Sequence, residues 1–255
     1  MSQPIIIRFH DQLNEFLPAQ LNEKAFEVEF KKARSVKDLI ESIGIPHTEL
    51  DVIISNEKSV DLDYQVQPGD RIEVYPLSIS PVFTLPDHAV VHCQPEPLSE
   101  HRFVLDVHLG KLAKYLRMLG FDTLYRNDYD DPVMADISAG ERRILLTCDR
   151  MLLMRKQIIH GYYVRSRQPQ QQLLEILSRY KLYDQIKPFS RCIHCNGRTY
   201  PVNKRSIETC LRAKTKKYYN DFYQCDSCNK IYWKGSHYQE MKKRIDRFKT
   251  AAVYK

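Results

Sequence analysis

Four cysteines in two pairs have the spacing of a metal site. Cys192 and Cys195 form one Cys-x-x-Cys pair, and Cys225 and Cys228 form a second, with 29 residues between the pairs. Two such pairs supply four thiolates, which is the ligand set of a tetrahedral zinc site in a zinc ribbon. The sequence therefore predicts a structural Zn²⁺ ion at these residues. The remaining cysteines lack this spacing, and we expect ordinary thiols there: Cys93, Cys148 and Cys210.

Acidic residues form a second group of side chains that could take part in catalysis. Asp106 ends the apolar run RFVLD, Asp149 follows the run RRILLT, and the segment between them contains Asp128, Asp130 and Asp131. Carboxylate oxygens are the ligands that Mg²⁺ and Mn²⁺ prefer, and such ions can activate water for phosphodiester hydrolysis. The alternative for each of these acids is a helix cap or a loop position.

The C-terminal part of the chain is strongly basic. Residues 187–255 contain 17 Lys and Arg but only 5 Asp and Glu, whereas residues 1–85 contain 8 and 14. Clustered cations interleaved with aromatic residues are typical of surfaces that bind single-stranded or looped RNA, although a merely solvated face is the alternative. We predict that RNA contacts several exposed cations: Lys111, Arg150, Arg198, Lys214, Lys216 and Lys217.

A β-grasp pattern occupies residues 1–80. Apolar runs at 5–9 and 26–30 predict two strands, residues 35–43 carry apolar side chains at helical spacing, and further strands are predicted at 52–55 and 71–75. Ser35 is the predicted N-cap of the helix, and Gly44 is its predicted C-terminal stop. We expect a small mixed sheet with one helix packed on it.

Residues 102–185 alternate between strands and helices. Strands are predicted at 102–106, 122–126, 143–147 and 162–165, and helices at 109–119, 131–139, 151–158 and 170–180. This alternation predicts a parallel sheet with helices on both faces. Ligands bind beyond the carboxyl ends of the strands in such sheets, and Asp106 and Asp149 follow two of the predicted strands.

Two further segments complete the chain. Residues 81–101 are rich in proline and predict a stiff linker, and residues 186–255 contain the zinc ribbon and a basic C-terminal helix with Met241, Ile245 and Phe248 on its buried face. No apolar run reaches about 18 residues, and the N-terminal segment lacks the features of a signal peptide. We expect a cytoplasmic protein without a membrane segment.

The N-terminal unit resembles the ubiquitin-like sulfur carriers of thiamine and molybdopterin synthesis. The likeness rests on the stretches SVKDLIESIGIP and VQPGDRIEVYP. Those carriers end in a free Gly-Gly, whereas residues 75–78 here continue as YPLS. We therefore expect this unit to be an interaction or folding module and not a sulfur carrier.

Residues 102–247 resemble the Mut-seven C-terminal ribonuclease-like family. The motifs that carry the likeness are DVHLGKLAKYLRMLGFDTLY, RRILLTCDR, VRS, PFSRCIHCNGR and FYQCDSCNKIYWKGSHYQEMKKRI. The resemblance implies a PIN-like fold with an appended zinc ribbon, often preceded by a ubiquitin-like module. It also implies ribonuclease activity in which Asp106, Asp128 and Asp149 are the catalytic acids, with Asp131 as a further candidate. Cys148 departs from the family motif, which more usually reads Thr-Arg-Asp there.

The two leading hypotheses come from different functional classes. The first is a ribonuclease that depends on Mg²⁺ or Mn²⁺ and binds RNA with help from its zinc ribbon. The second is a non-catalytic RNA-binding or adaptor protein whose ubiquitin-like module binds a protein partner. Turnover of RNA distinguishes them.

Overall fold

The N-terminal segment folds as a β-grasp domain, as its apolar pattern predicts. The structure is a computed structural model that describes residues 3–78 and 90–250. A five-stranded sheet has the order β2-β1-β5-β3-β4, in which β1 and β5 are parallel and the other neighbours antiparallel. Its strands are β1 (Ile5–Phe9), β2 (Phe26–Val28), β3 (Leu50–Ser55), β4 (Lys58–Val60) and β5 (Arg71–Pro76).

Helix α1 (Val36–Ile43) lies against this sheet and begins and ends where the sequence predicts. The Ser35 hydroxyl accepts a hydrogen bond from the backbone N–H of Asp38 at 3.1 Å. Gly44 ends the helix with a φ of 106°, a left-handed conformation that glycine adopts without steric cost. Val36, Leu39 and Ile40 are fully buried, so one face of the helix completes the apolar core of the sheet.

Contacts among the described residues divide the chain into two compact units. One contains residues 1–99 with 131–163, and the other contains residues 100–130 with 164–255. The β-grasp domain therefore shares a unit with part of the predicted α/β segment. Within that first unit lie α3 (Asp131–Glu141), β8 (Ile144–Thr147), α4 (Arg150–Leu153) and β9 (Gly161–Tyr163).

The second unit contains the rest of the α/β segment and the cysteine-rich region. Its elements are β6 (Phe103–Leu105), α2 (Gly110–Met118), β7 (Thr123–Leu124), α5 (Pro169–Arg179), β10 (Thr199–Val202), α6 (Ala213–Tyr218), β11 (Phe222–Cys225), β12 (Ile231–Trp233) and α7 (Ser236–Thr250). Strands β6 and β7 pair in parallel here, and β8 and β9 do so in the first unit. The predicted parallel sheet is confirmed.

Three strands bring the two cysteine pairs together. Strands β10, β11 and β12 form an antiparallel meander, in which Thr199 lies opposite Cys225 and Phe222 lies opposite Trp233. Residues 204–218, which separate β10 from β11, form a 3-10 helix and α6. On α7, Ile245 and Phe248 are buried while Lys242, Lys243 and Arg244 are exposed, as the helical pattern predicts.

Several elements differ from their predicted extents. Strand β4 was not among the predicted strands, and α4 spans only Arg150–Leu153 instead of reaching residue 158. The chain turns after α4, where the N–H of Ile158 bonds to the carbonyl of Arg155. This turn leaves the Ile158 carbonyl available to the His47 ring, which lies 2.9 Å away.

The predicted linker is described only in part. Residues 79–89 lie outside the described residues, but the backbone N–H groups of Val91, Cys93 and Gln94 bond to the β-grasp domain. His92 forms an isolated bridge with Val52 and contacts the Asp51 carboxylate at 2.7 Å, so this histidine has a structural partner. Among the described helices, none has the length and apolar character that a membrane span requires.

Candidate functional site

The four predicted zinc ligands converge in the second unit. The sulfur of Cys192 lies 3.7 Å from that of Cys228, Cys195 lies 3.4 Å from Cys225, and all four sulfurs lie within 4.8 Å of one another. A tetrahedral site with Zn–S bonds of about 2.3 Å requires sulfurs about 3.8 Å apart. The four side chains therefore have the chemistry and the spacing that Zn²⁺ needs. His194 and His237 are not part of this group.

The two cysteine pairs lie on matching turns. The N–H of Asn196 bonds to the carbonyl of Cys192 at 2.9 Å, and the N–H of Asn229 bonds to that of Cys225 at 3.2 Å. Each asparagine directly follows the second cysteine of its pair and has a positive φ, 75° for Asn196 and 57° for Asn229. Asparagine tolerates this conformation better than most residues. The repeated Cys-x-x-Cys-Asn pattern thus encodes both turns.

Hydrogen bonds also prepare the sulfurs for binding a cation. The Tyr232 hydroxyl lies 2.9 Å from the Cys192 sulfur. Burial raises the pKa of Cys192, but hydrogen bonds from Tyr232 and from nearby backbone groups outweigh it and lower that pKa to about 7. Burial and the neighbouring thiols instead raise the pKa of Cys195 to about 12. A bound divalent cation supplies the positive charge that lets all four thiols ionise together.

A buried arginine fastens the first cysteine turn to the α/β segment of the same unit. Arg117 on α2 is 4% exposed, and it donates from Nε to the Thr123 carbonyl and from Nη1 to the His194 carbonyl, both at 2.9 Å. The Asn196 amide bonds to the Asp122 carboxylate and to the N–H of Thr123, both at 2.8 Å. No spacing rule marks this network in the sequence.

Asp106 begins the 3-10 turn that precedes α2. Its carboxylate Oδ1 accepts a hydrogen bond from the His108 N–H at 2.7 Å and lies 2.9 Å from the His108 ring nitrogen Nδ1. The residue is only 5% exposed. Asp106 therefore caps a helical turn at the end of β6, which is the alternative role that the sequence left open.

Asp149 has the same local role after β8 in the first unit. Its Oδ1 accepts a hydrogen bond from the N–H of Met151 at 2.8 Å and thereby caps α4, while its own N–H bonds to the Thr147 hydroxyl at 2.9 Å. The residue is exposed to solvent. Its second carboxylate oxygen accepts no hydrogen bond from the described part of the chain.

The other two candidate acids lie beside arginines. Asp128 forms a bidentate pair with Arg126, with oxygen to nitrogen distances of 2.8 and 2.6 Å, and this pair lowers the pKa of the carboxylate. Asp131 begins α3, and its carboxylate lies 3.9 Å from the Arg155 guanidinium. Both carboxylates are substantially exposed.

A basic groove of about 920 Å³ lies in the second unit. Its wall includes Asp128 and residues 107 and 108, which directly follow Asp106. Five cationic side chains also line it: Lys111, Lys114, Arg117, Arg126 and Arg167. Gly110 permits close packing at the start of α2, because a Cβ there would lie 2.5 Å from the Tyr125 hydroxyl oxygen. The groove therefore combines a concentrated positive charge with one of the predicted acids, Asp128, and with the turn that follows Asp106.

The predicted RNA-binding cations lie in different environments. Lys111 lines the basic groove, and Arg198, Lys214 and Lys217 are exposed in the cysteine-rich region. Lys216 is also exposed and pairs with Glu208 at 2.7 Å. Arg150 is different, because its Nη1 donates to the Phe16 carbonyl at 2.9 Å and its guanidinium lies over the Phe16 ring at 4.8 Å.

Arg150 belongs to a set of contacts between the β-grasp domain and residues 150–163 of the same unit. The buried Glu49 carboxylate accepts a hydrogen bond from the N–H of Tyr163 at 2.7 Å. The His47 ring lies between the Ile158 carbonyl, 2.9 Å away, and the Glu41 carboxylate, 2.6 Å away. These groups are half-buried or buried. The β-grasp domain is therefore packed on an α/β segment through side-chain to backbone bonds.

Comparison with known families agrees with this architecture. A model of the Mut7-C RNAse domain matches residues 101–245, which is more than half of the chain, and a model of Mut7-C ubiquitin matches residues 2–81. Neither the curated proteins nor the solved structures contain a significant match. The resemblance predicted from the sequence motifs is confirmed, and so is the order of its two parts. The chain therefore belongs to the Mut7-C RNAse domain family and carries the Mut7-C ubiquitin domain before it.

Proposed function

We propose that the protein is a divalent-metal-dependent ribonuclease that hydrolyses RNA phosphodiester bonds. Membership of the Mut7-C RNAse family supports the class of activity. The observation that carries the proposal furthest is the basic groove, because it combines cations for phosphate binding with the Asp128 carboxylate, a type of ligand suited to metal binding. Asp106, Asp128 and Asp149 are the proposed catalytic acids, and Asp131 is a further candidate.

The cations of the groove are placed to bind the phosphate backbone of a single RNA strand. Lys111 and Lys114 lie on α2 three residues apart, so they project from neighbouring positions on the helix. Arg126 and Arg167 add charge to the same groove. A phosphodiester backbone in the groove would pass beside Asp128 and the turn that Asp106 caps.

The proposed acids fit Mg²⁺ or Mn²⁺ by their chemistry. Asp149 uses one oxygen as a helix cap and is exposed, so its second oxygen is accessible to a cation. Asp106 directly follows a strand of a parallel pair, a position where α/β proteins bind ligands. A bound Mg²⁺ or Mn²⁺ ion would supply Lewis acidity toward the phosphate and lower the pKa of a bound water. The chain itself would bind the RNA backbone through the cations of the groove, beside Asp128.

Arg126 can form an ion pair either with Asp128 or with a phosphate of bound RNA. It now bonds to both oxygens of Asp128, and its positive charge opposes the binding of a cation at that carboxylate. An RNA phosphate offers the guanidinium the same bidentate geometry that the carboxylate offers. We propose that RNA binding transfers Arg126 from Asp128 to a phosphate.

The zinc ribbon is proposed to bind RNA without taking part in the chemistry. Four thiolates satisfy the coordination of Zn²⁺, so no position is left for a substrate. The exposed cations Arg198, Lys214, Lys216 and Lys217 are proposed to contact a single-stranded or looped RNA.

Three further predictions remain proposals. They are the domain limits (1–80, 81–101, 102–185 and 186–255), the cytoplasmic location and a protein partner for the ubiquitin-like module.

Cleavage of labelled RNA tests the function. The protein is incubated with a structured RNA and its single-stranded counterpart, with Mg²⁺, with Mn²⁺ and with neither ion. We expect cleavage only with the ions, and we expect the Asp106→Asn/Asp149→Asn variant to lose at least about a hundredfold in rate. Asp184→Asn, which alters an exposed acid that is not among the proposed catalytic acids, is the control. Binding without cleavage under every condition would instead support the non-catalytic adaptor.

A further inference from the structure

A second cavity, separate from the basic groove, lies on the zinc ribbon. Its volume is about 260 Å³, and α7 and the segment before the first cysteine pair close its sides. Five aromatic side chains line it: Phe189, Tyr223, Tyr232, Trp233 and Tyr238. Neither the zinc site nor the proposed catalytic acids account for so many aromatic residues around one cavity.

The rings are held in place by the ribbon. The rings of Phe189 and Tyr238 are 4.8 Å apart between centroids. The Tyr232 hydroxyl is hydrogen-bonded to the sulfur of Cys192, so the zinc site fixes this ring. Trp233 ends β12 and is 38% exposed, although it is large and apolar. The cavity thus has ordered aromatic walls and one partly exposed indole.

Size and charge restrict what this cavity accepts. Pockets for drug-sized ligands are typically about 300 to 1,000 Å³, so a cavity of 260 Å³ suits one small ring system. Arg191 and Lys234 also line it, and the surrounding residues 187–255 carry a strong positive charge. A planar ring attached to a phosphate backbone matches both the aromatic walls and the cations.

We infer that this aromatic cavity binds one unpaired nucleobase of an RNA strand, by stacking against its aromatic walls. The inference rests on the proposed function for its ligand class, since it assumes that the ribbon binds RNA. A base paired within a duplex cannot enter, because its faces are already stacked. The cavity therefore selects single-stranded segments, loops and strand ends, whereas the cations around it bind the backbone of any sequence.

Trp233 makes the inference directly measurable, because it is the only tryptophan in the chain. A short oligoadenylate, an abasic oligonucleotide of the same length and charge, and a blunt RNA duplex are titrated without added Mg²⁺ or Mn²⁺. Tryptophan fluorescence reports stacking, and the anisotropy of a labelled oligonucleotide gives the affinity. We expect oligoadenylate to quench Trp233 and to bind about tenfold or more tightly than the abasic strand, which leaves the fluorescence unchanged. The duplex should not quench it either.

Matched tyrosine variants separate the cavity from the rest of the ribbon. Tyr238→Ala removes a wall of the cavity and should weaken oligoadenylate binding about tenfold, whereas Tyr238→Phe keeps the ring and should retain the affinity. Tyr218→Ala removes a tyrosine that is 68% exposed and does not line the cavity, and it should change the affinity by less than about twofold. Zinc content and circular dichroism establish that each variant is folded.

The outcomes separate this inference from the proposed nuclease. Quenching of Trp233 in the Asp106→Asn/Asp149→Asn variant would support the cavity as a base site whether or not the wild type cleaves RNA. Metal-dependent cleavage combined with equal binding of abasic and base-bearing strands would overturn the inference and leave the nuclease intact. A loss of affinity in Tyr218→Ala as large as that in folded Tyr238→Ala would overturn it as well.

Discussion

Arg117 and His194 are joined by a hydrogen bond of 2.9 Å from a buried guanidinium nitrogen to a backbone carbonyl that lies inside the first cysteine pair. The same guanidinium donates to the Thr123 carbonyl. Burial lowers the pKa of this arginine, although the nearby cysteines and Asp122 favour its charged form. A single side chain therefore connects α2, β7 and the first zinc turn.

Removal of Arg117 should destabilise the zinc ribbon. Arg117→Ala leaves the buried Thr123 carbonyl and the partly buried His194 carbonyl without this donor, so we expect a loss of about 2 to 4 kcal/mol in the free energy of unfolding and faster release of zinc to a chromogenic chelator. Arg126→Ala, which removes an exposed arginine, is the control for both measurements. Unchanged stability and zinc release in Arg117→Ala would show that the ribbon is held by its strands alone.

Zinc stoichiometry tests the four-cysteine site. We expect one Zn²⁺ ion per chain by metal analysis, because four thiolates lie at tetrahedral spacing. Cys225→Ser should lose most of the bound zinc and unfold the ribbon, since binding of a structural zinc ion also stabilises the fold. Cys210→Ser, which alters an exposed cysteine outside the group, should keep a full zinc content. Equal zinc content in both variants would contradict the assignment.

The zinc site shows which features a sequence reveals. Its ligands could be predicted from their spacing because each Cys-x-x-Cys pair forms a local turn. The caps of α1 could also be predicted, because they too depend on residues that are close in sequence. Arg117 was not predicted, because its partners lie 6 and 77 residues away and are backbone carbonyls with no sequence signal. Asp128 was predicted as an acid, but its pairing with Arg126 depends on side-chain orientation in a loop.

The basic groove should show the salt dependence of a phosphate site. Each cation that neutralises a phosphate contributes about one unit to the slope of log affinity against log salt concentration. Lys111→Ala and Lys114→Ala should each lower the slope for single-stranded RNA by about one unit and weaken binding similarly for every sequence. Lys31→Ala, an exposed lysine of the β-grasp domain, should leave the slope unchanged. A slope insensitive to both groove lysines would exclude the groove as the path of the RNA.

The cysteines outside the zinc group should differ in reactivity. Burial, together with Asp51 and Asp61, raises the pKa of Cys93 from 9.0 to about 12. Near pH 8 the reactive thiolate is then about a thousandfold rarer at Cys93 than at an ordinary cysteine. Alkylation followed by peptide mass spectrometry should label the exposed Cys210 rapidly and Cys93 only after unfolding. Equal labelling in the native protein would show that residues 90–95 leave the β-grasp surface.

A variant of Arg150 tests whether this side chain contributes to stability or to RNA binding. Its sequence neighbourhood, directly after Asp149, led to its prediction as an RNA contact. In the structure its guanidinium instead bonds to the Phe16 carbonyl and lies over the Phe16 ring. We therefore expect Arg150→Ala to lower the free energy of unfolding by about 1 to 3 kcal/mol, because it removes a charged hydrogen bond and a cation–π contact.

The same variant should leave the salt slope of RNA binding unchanged, in contrast to Lys111→Ala. Chemical denaturation and oligonucleotide titration on the two variants measure both quantities side by side. A stable Arg150→Ala protein with a reduced slope would instead assign Arg150 to the RNA. In that case Glu49 and His47 would maintain the contacts between the β-grasp domain and residues 150–163, and Arg150 would not be needed for them.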